Sequence, residues 1–305
     1  MTLHINTPLI ESRPLSLTAE RSIWLKLEAL QPCGSFKLRG VGHACEVHHA
    51  RGARRFVSSS GGNAGLAVAY AGRKLGVPVT VVVPETTTER AKELLRQEDA
   101  NVVVHGSSWQ EANALAQTLI GAEDAFIHPF DDPLLWAGHA SLIDEVAASG
   151  FKPDAVVLSV GGGGLLSGVV EGLTRNGWHD VPVLAVETDG AASLHAAMQA
   201  GHTVELERID SVATSLGAKR VAEQAMTCTR RHPVQSHRVS DRAALEACER
   251  FLLDHRVLVE PACGAALALA YTPGALGSYQ QVLVVVCGGA TATLEQIRAW
   301  LEGCA

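Results

Sequence analysis

Four consecutive glycines, Gly161 to Gly164, stand between an apolar run at residues 154–160 and a helically spaced apolar stretch at residues 165–173. A strand, a side-chain-free turn and a helix start in that order direct successive backbone N–H groups into one concavity. The helix start adds unpaired donors and a partial positive charge. The chemistry on offer is anion binding, above all phosphate binding. A nucleotide P-loop would continue with Lys-Ser or Lys-Thr, where this chain has Leu165 and Leu166. A dinucleotide fingerprint would need its third glycine at Leu166 or Ser167. A phosphorylated cofactor that is neither a nucleoside triphosphate nor clearly NAD fits better. A packing turn without a ligand is the structural alternative.

Three further segments carry reactive or polar groups at predicted strand-to-helix turns. Gly34-Ser35-Phe36-Lys37 puts a lysine at a helix start, where its charge opposes the helix dipole. Residues 58–65 (SSSGGNAG) gather hydroxyls, free N–H groups and the Asn63 amide, more than the one residue a helix cap uses. This loop has the groups to bind a carboxylate through its amides. Cys287-Gly288-Gly289-Ala290-Thr291 follows an apolar strand, though a cysteine there also reads as a small buried hydrophobe. His43, Cys45, His48 and His49 share one predicted helix, but no second ligand cluster accompanies them, so they read as a solvated face. No Gly-x-Ser-x-Gly elbow is present.

The elements that must hold these turns alternate. Strands are predicted at 23–27, 55–58, 79–83, 102–104, 155–160, 183–186 and 282–286, mostly as continuous apolar runs suited to parallel strands buried on both faces. Helices are predicted at 37–50, 63–75, 87–97, 109–119, 134–148, 241–254 and 291–301. The pattern is α/β, with ligands expected at the carboxyl ends of the strands. The 305 residues suffice for two domains, and 47% hydrophobic with 19% charged residues is an ordinary globular composition. A formal net charge of −7 without a long basic stretch argues against nucleic acid. No segment has the length of a membrane span, and no signal-peptide pattern opens the chain. Seven cysteines, an odd number without paired spacing, suit free thiols in a reducing cytoplasm.

Taken together, Ser35-Phe36-Lys37, residues 60–65 (SGGNAG), Gly161–Leu165 and Cys287-Gly288-Gly289 resemble the fold-type II pyridoxal-phosphate enzymes, the tryptophan synthase β-like group. Within them the chain resembles the short L-serine/L-threonine dehydratases. The likeness extends through residues 128–136 (HPFDDPLLW), 186–190 (VETDG) and 259–265 (VEPACGA), and so over nearly the whole chain.

The resemblance implies a large domain with a parallel-rich sheet, residues 1–31 and 135–305, and a smaller inserted α/β domain, residues 32–134. It implies that Lys37 carries pyridoxal 5'-phosphate as a Schiff base and takes the substrate Cα proton. Gly161, Gly162, Gly163, Gly164 and Leu165 would hold the phosphate, Asn63 the ring hydroxyl, Phe36 the ring face and Cys287 the pyridine nitrogen. Ser60, Gly61, Gly62 and Asn63 would take the substrate carboxylate. The β-hydroxyl would leave with a proton from the cofactor phosphate, and the product would hydrolyse to a 2-oxo acid and ammonia. A potassium ion would sit on the Glu187 carboxylate and the carbonyls of Gly161, Ala191, Leu216 and Ala218. A cytoplasmic homodimer is expected, with no regulatory domain after the Cys287 segment. Position 61 departs from the best-known animal serine dehydratase, which has alanine there; a dehydratase-like relative has glycine. The rival readings are β-replacement of the cysteine synthase kind, serine racemisation, and a nucleotide- or ligand-binding protein without catalysis.

Overall fold

The computed structural model describes residues 2–304. Its strands are β1 (Leu9–Glu11), β2 (Ser22–Lys26), β3 (Arg55–Ser58), β4 (Val79–Val83), β5 (Asn101–Val104), β6 (Asp124–Phe126), β7 (Ala155–Ser159), β8 (Val183–Thr188), β9 (Val234–Val239) and β10 (Gln281–Val285). They form two sheets. The larger has the order β1-β2-β10-β7-β8-β9 and is parallel except for β1, which runs antiparallel to β2. The smaller has the order β5-β4-β3-β6 and is parallel throughout.

The valine-rich strands β4, β7 and β8 are buried along their whole length, as expected of strands covered by helices on both faces. β9 carries four consecutive polar residues between its two valines and lies at an edge, which explains why no continuous apolar run marks it. β1 and β6 are three residues long, too short to show a period. Helix starts follow their caps. Thr88 accepts from the Ala91 N–H and begins a helix at Glu89 rather than at 87. Thr293 closes a capping box with Gln296 and begins one at Leu294 rather than at 291.

The helix Lys37–Ala50 crosses the helix Pro133–Ala148 at backbone contact. A Cβ on Gly40 would lie 2.5 Å from the Leu135 carbonyl oxygen, and one on Gly138 would lie 2.5 Å from that of Arg39. Beside the crossing, Arg39 is fully buried. Its Nε and Nη2 donate to both Glu28 oxygens at 2.7 and 2.8 Å, and its Nη1 donates to Glu145 at 2.7 Å. Lys26 on β2 completes the group through Glu145. These paired charges tie the start of the lysine-bearing helix to the larger sheet. Removing one partner would leave another buried and uncompensated.

Among the described residues no helix is long and apolar enough to cross a membrane. Nor does any group of three or more His, Cys, Asp or Glu there have the geometry to hold a metal, the helix carrying His43, Cys45, His48 and His49 included.

Candidate active site

The carboxyl ends of β3, β7 and β10 open into one cavity of about 900 Å³. Lys37, Asn63, Gly162, Glu260 and Cys287 all line it, from five separate segments.

Lys37 is the first residue of its helix, and two contacts to the segment after β10 fix the turn before it. The Phe36 N–H donates to the Cys287 carbonyl at 3.1 Å, and Ser35 bridges Gly288. The Lys37 ammonium donates to the Pro129 carbonyl at 2.7 Å and lies 5.1 Å from the centre of the Phe36 ring. Burial lowers its pKa from 10.5 to about 8, against the opposing pull of Cys287 and Glu260. That places a nucleophilic amine within reach of neutral pH. Phe36 in turn packs on the buried His139 ring at 4.9 Å.

The glycine turn has the form of an anion cradle. Gly163 has φ of +92° and precedes the helix Gly164–Arg175. Among the described residues the N–H groups of Gly162, Gly163, Gly164 and Leu165 donate to nothing. Side chains have no room here, for a Cβ on Gly162 would lie 2.2 Å from the Phe130 ring and one on Gly163 2.5 Å from Ala225. The second loop, residues 60–63, likewise leaves the N–H groups of Gly61 and Asn63 unpaired. A Cβ on Gly61 would lie 2.8 Å from the Thr87 Cγ2, so an alanine at this position requires Thr87 to shift.

Asn63 opens the helix Asn63–Leu75. Its Nδ2 donates to Glu260 at 2.7 Å and its Oδ1 accepts from the Ala290 N–H at 3.0 Å. Glu260, a residue sequence reasoning left unassigned, also accepts from the Thr291 hydroxyl at 3.0 Å, and burial raises its pKa. The signal available for it was one acidic residue in the otherwise apolar run 257–271. Ser215 and Phe130, which also line the cavity, were likewise given no role, although Phe130 lies in the 128–136 segment that carries the resemblance. The Cys263 thiol beside Cys287, together with burial, pushes the Cys287 thiol well above its ordinary pKa, so it stays neutral.

Phe36, Lys37, residues 60–63, Gly161–Leu165 and Cys287 thus share one cavity wall, to which Leu216 and Ala218 also belong. Glu187 and Ala191 lie outside that wall. Glu187 is fully buried at the end of β8, where burial raises its pKa to about 7. Its two oxygens accept from the N–H groups of Leu194 and His195, each at 2.8 Å, capping the helix Ser193–Ala200. The turn bearing Leu216 presses on the glycine loop: a Cβ on Gly161 would lie 3.0 Å from the Leu216 Cα. Among the described residues the carbonyl oxygens of Gly161, Ala191 and Ala218 accept no hydrogen bond.

Residues 1–288 match the model of the family described as pyridoxal-phosphate dependent enzyme. The chain belongs to that family. It is 48% identical to a human protein named L-serine dehydratase/L-threonine deaminase, over 98% of this chain and 95% of that one. It is 50% identical to a mouse protein named serine dehydratase-like, over 97% and 93%. Its fold superposes on a fungal L-serine ammonia-lyase from Rhizomucor miehei with a TM-score of 0.94, at 36% identity and 99% coverage of each chain. The fold is therefore that of the fold-type II pyridoxal-phosphate enzymes, and the cofactor is pyridoxal phosphate. The site accommodates it: unpaired glycine amides suit a phosphate, and a buried amine with a lowered pKa suits an aldehyde.

Proposed function

We propose that the chain is an ammonia-lyase acting on L-serine and L-threonine, giving pyruvate or 2-oxobutanoate and ammonia. The observation that carries this reading is Lys37, a buried amine with a pKa near 8, facing the glycine cradle across a cavity whose whole chain is 48% identical to a named dehydratase. Lys37 would be the attachment point and the general base that takes the Cα proton. The Lys37 amine donates to the carbonyl of Pro129, another residue of the cavity wall. Gly161–Leu165 would hold the phosphate, Phe36 the ring face and Asn63 the ring hydroxyl.

Ser60, Gly61, Gly62 and Asn63 would orient the substrate carboxylate, the unpaired N–H groups of Gly61 and Asn63 among their donors. When bound, the cofactor supplies the electron sink for the bonds broken at Cα and Cβ. The neutral Cys287 thiol would face its pyridine nitrogen without holding it protonated. That favours elimination over transamination, and residues 60–65 together with Cys287 weigh against β-replacement and racemisation.

We further assign residues 32–134 to a small domain and 1–31 with 135–305 to a large one. The support is the separation of β3–β6 into their own sheet. A potassium-like ion is proposed on Glu187, Gly161, Ala191, Leu216 and Ala218. The unpaired carbonyls of Gly161, Ala191 and Ala218 suit a hard cation, and Glu187 keeps a lone pair on each oxygen. A homodimer and a cytoplasmic location complete the reading.

The test is borohydride reduction of the loaded protein with peptide mapping, paired with ammonia and 2-oxo acid assays on each amino acid. Label on Lys37 and turnover of serine or threonine are expected, and Lys37→Ala should abolish both. Label on another lysine would sink the assignment.

A further inference from the structure

Glu260 is a carboxylate in the wrong place for ordinary stability. It is 4% exposed, and no lysine, arginine or histidine is among its hydrogen-bond partners. The Lys37 ammonium attracts it through space, but a buried carboxylate with no directly bonded cation is still costly. The fold nevertheless makes room for it. Gly289 adopts φ of +127°, and a Cβ there would lie 2.1 Å from the Glu260 carboxyl carbon. The second glycine after Cys287 is therefore the space the Glu260 side chain occupies.

The partners of Glu260 explain the arrangement. One oxygen accepts from the Asn63 Nδ2, the other from the Thr291 hydroxyl. On its opposite side, the Asn63 Oδ1 accepts from the Ala290 N–H. A side-chain amide has two nearly isosteric orientations, and only its partners decide between them. Turned over, Asn63 would set its oxygen against the Glu260 carboxylate and its NH2 group against the Ala290 N–H. Both contacts would be repulsive, so the pair of partners admits one orientation. In that orientation one Nδ2 hydrogen is taken by Glu260. The other has only the Ser215 hydroxyl at 3.4 Å and is available on a residue that lines the cavity. The same bonds join three separated segments: the start of the helix Asn63–Leu75, the residue before the helix Pro261–Tyr271, and the loop after β10.

We propose that Glu260 is a positioning residue: it fixes the Asn63 amide so that an N–H, not the carbonyl oxygen, is presented to the ring oxygen of the cofactor, and it ties the Asn63 helix to the loop after β10. This rests on the reading of Asn63 as the partner of that ring oxygen. Glutamine at 260 keeps a carbonyl acceptor for Asn63 and an NH2 group that can donate to the Thr291 hydroxyl. Alanine keeps neither.

The experiment is equilibrium titration of the apo-protein with pyridoxal phosphate, followed by absorbance and protein fluorescence, for wild type, E260Q, E260A, N63A and the double variant E260A/N63A. A hydrogen bond to a charged group has the strength to change affinity about tenfold or more. E260A should bind about tenfold more weakly and E260Q within about threefold of wild type. The double variant should bind no more weakly than N63A, because Glu260 acts through Asn63. Losses that multiply in the double variant would overturn the proposal, as would wild-type affinity in E260A beside a weakened N63A. Wild-type affinity in N63A would instead overturn the reading of Asn63 itself. Should E260A fail to fold by circular dichroism, E260M replaces it: close to glutamate in length, it fills the space and offers Asn63 no acceptor. E260M should then lose affinity as E260A would, and wild-type affinity in it would overturn the proposal.

Discussion

The Lys37 amine should titrate near pH 8, and that value sets how reactive the empty site is. At pH 7 a group with a pKa of about 8 is neutral in about a tenth of molecules, against about three in ten thousand at 10.5. The nucleophilic fraction is therefore about 300-fold larger than on an ordinary lysine. Trinitrophenylation of the apo-protein, with peptide mapping to isolate Lys37, reads this directly. The rate at Lys37 should climb about tenfold per pH unit up to pH 8 and then level off. A midpoint above about 9.5 would refute the argument that burial governs this amine.

The same pKa values fix a stability difference. Between pH 8 and 10.5 the unfolded chain holds more protons at this residue than the folded one, so apo-protein stability rises with pH across that window. Below pH 8 the full penalty for burying the ammonium is present, about 3 kcal/mol from the two pKa values. Lys37→Met removes the charge and keeps the chain length. Its apo-protein should be more stable than wild type at pH 7 by up to that amount, and the advantage should be gone by about pH 10.5. Urea unfolding of both apo-proteins at pH 7 and pH 10 measures it. An equal difference at both pH values, or a less stable Lys37→Met at pH 7, would show that packing rather than charge decides.

Gly162→Ala places a methyl against the Phe130 ring and should weaken pyridoxal phosphate binding by about tenfold or more, read by titration of the apo-protein. Cys287→Ser should keep the cofactor, since both side chains are small and neutral. Cys287→Asp should raise transamination side products, assayed by keto-acid and aminated-cofactor release, and an unchanged product distribution would make Cys287 a packing residue. Activity and cofactor retention should rise with potassium over a large-cation buffer, and Glu187→Ala should abolish that response. Equal retention in potassium- and ammonium-free buffer would remove the cation site while leaving the rest of the reading intact.

The elements that position the site were legible in the sequence where burial and period coincide. β4, β7, β8 and β10 are near-continuous valine-rich runs because helices cover both faces, and each is followed by the loop that carries function or packing. What escaped had physical reasons. β9 lies at a sheet edge with a run of polar residues, Gln235 to Arg238, and β1 and β6 are too short for a period. The helix Pro261–Tyr271 is buried all round, so its Ala-rich sequence shows no polar face to mark a turn of helix.

The site divides along a different line. Groups that act through backbone, such as Gly161–Gly164, announce themselves because only glycine permits the conformation and the close approach of Phe130. Groups that act through another side chain leave almost no local trace. Glu260 stands 197 residues from Asn63, and nothing in either segment alone tells which way the amide faces. Yet the trace exists at a third place. Gly289 reads in sequence as the second half of a flexible pair, and in the fold it is the vacancy a carboxylate needs. A glycine whose missing Cβ would strike a buried acid therefore carries information about that acid. A substitution such as Gly289→Ala should act on Asn63 through Glu260, in the same direction as removing the carboxylate itself.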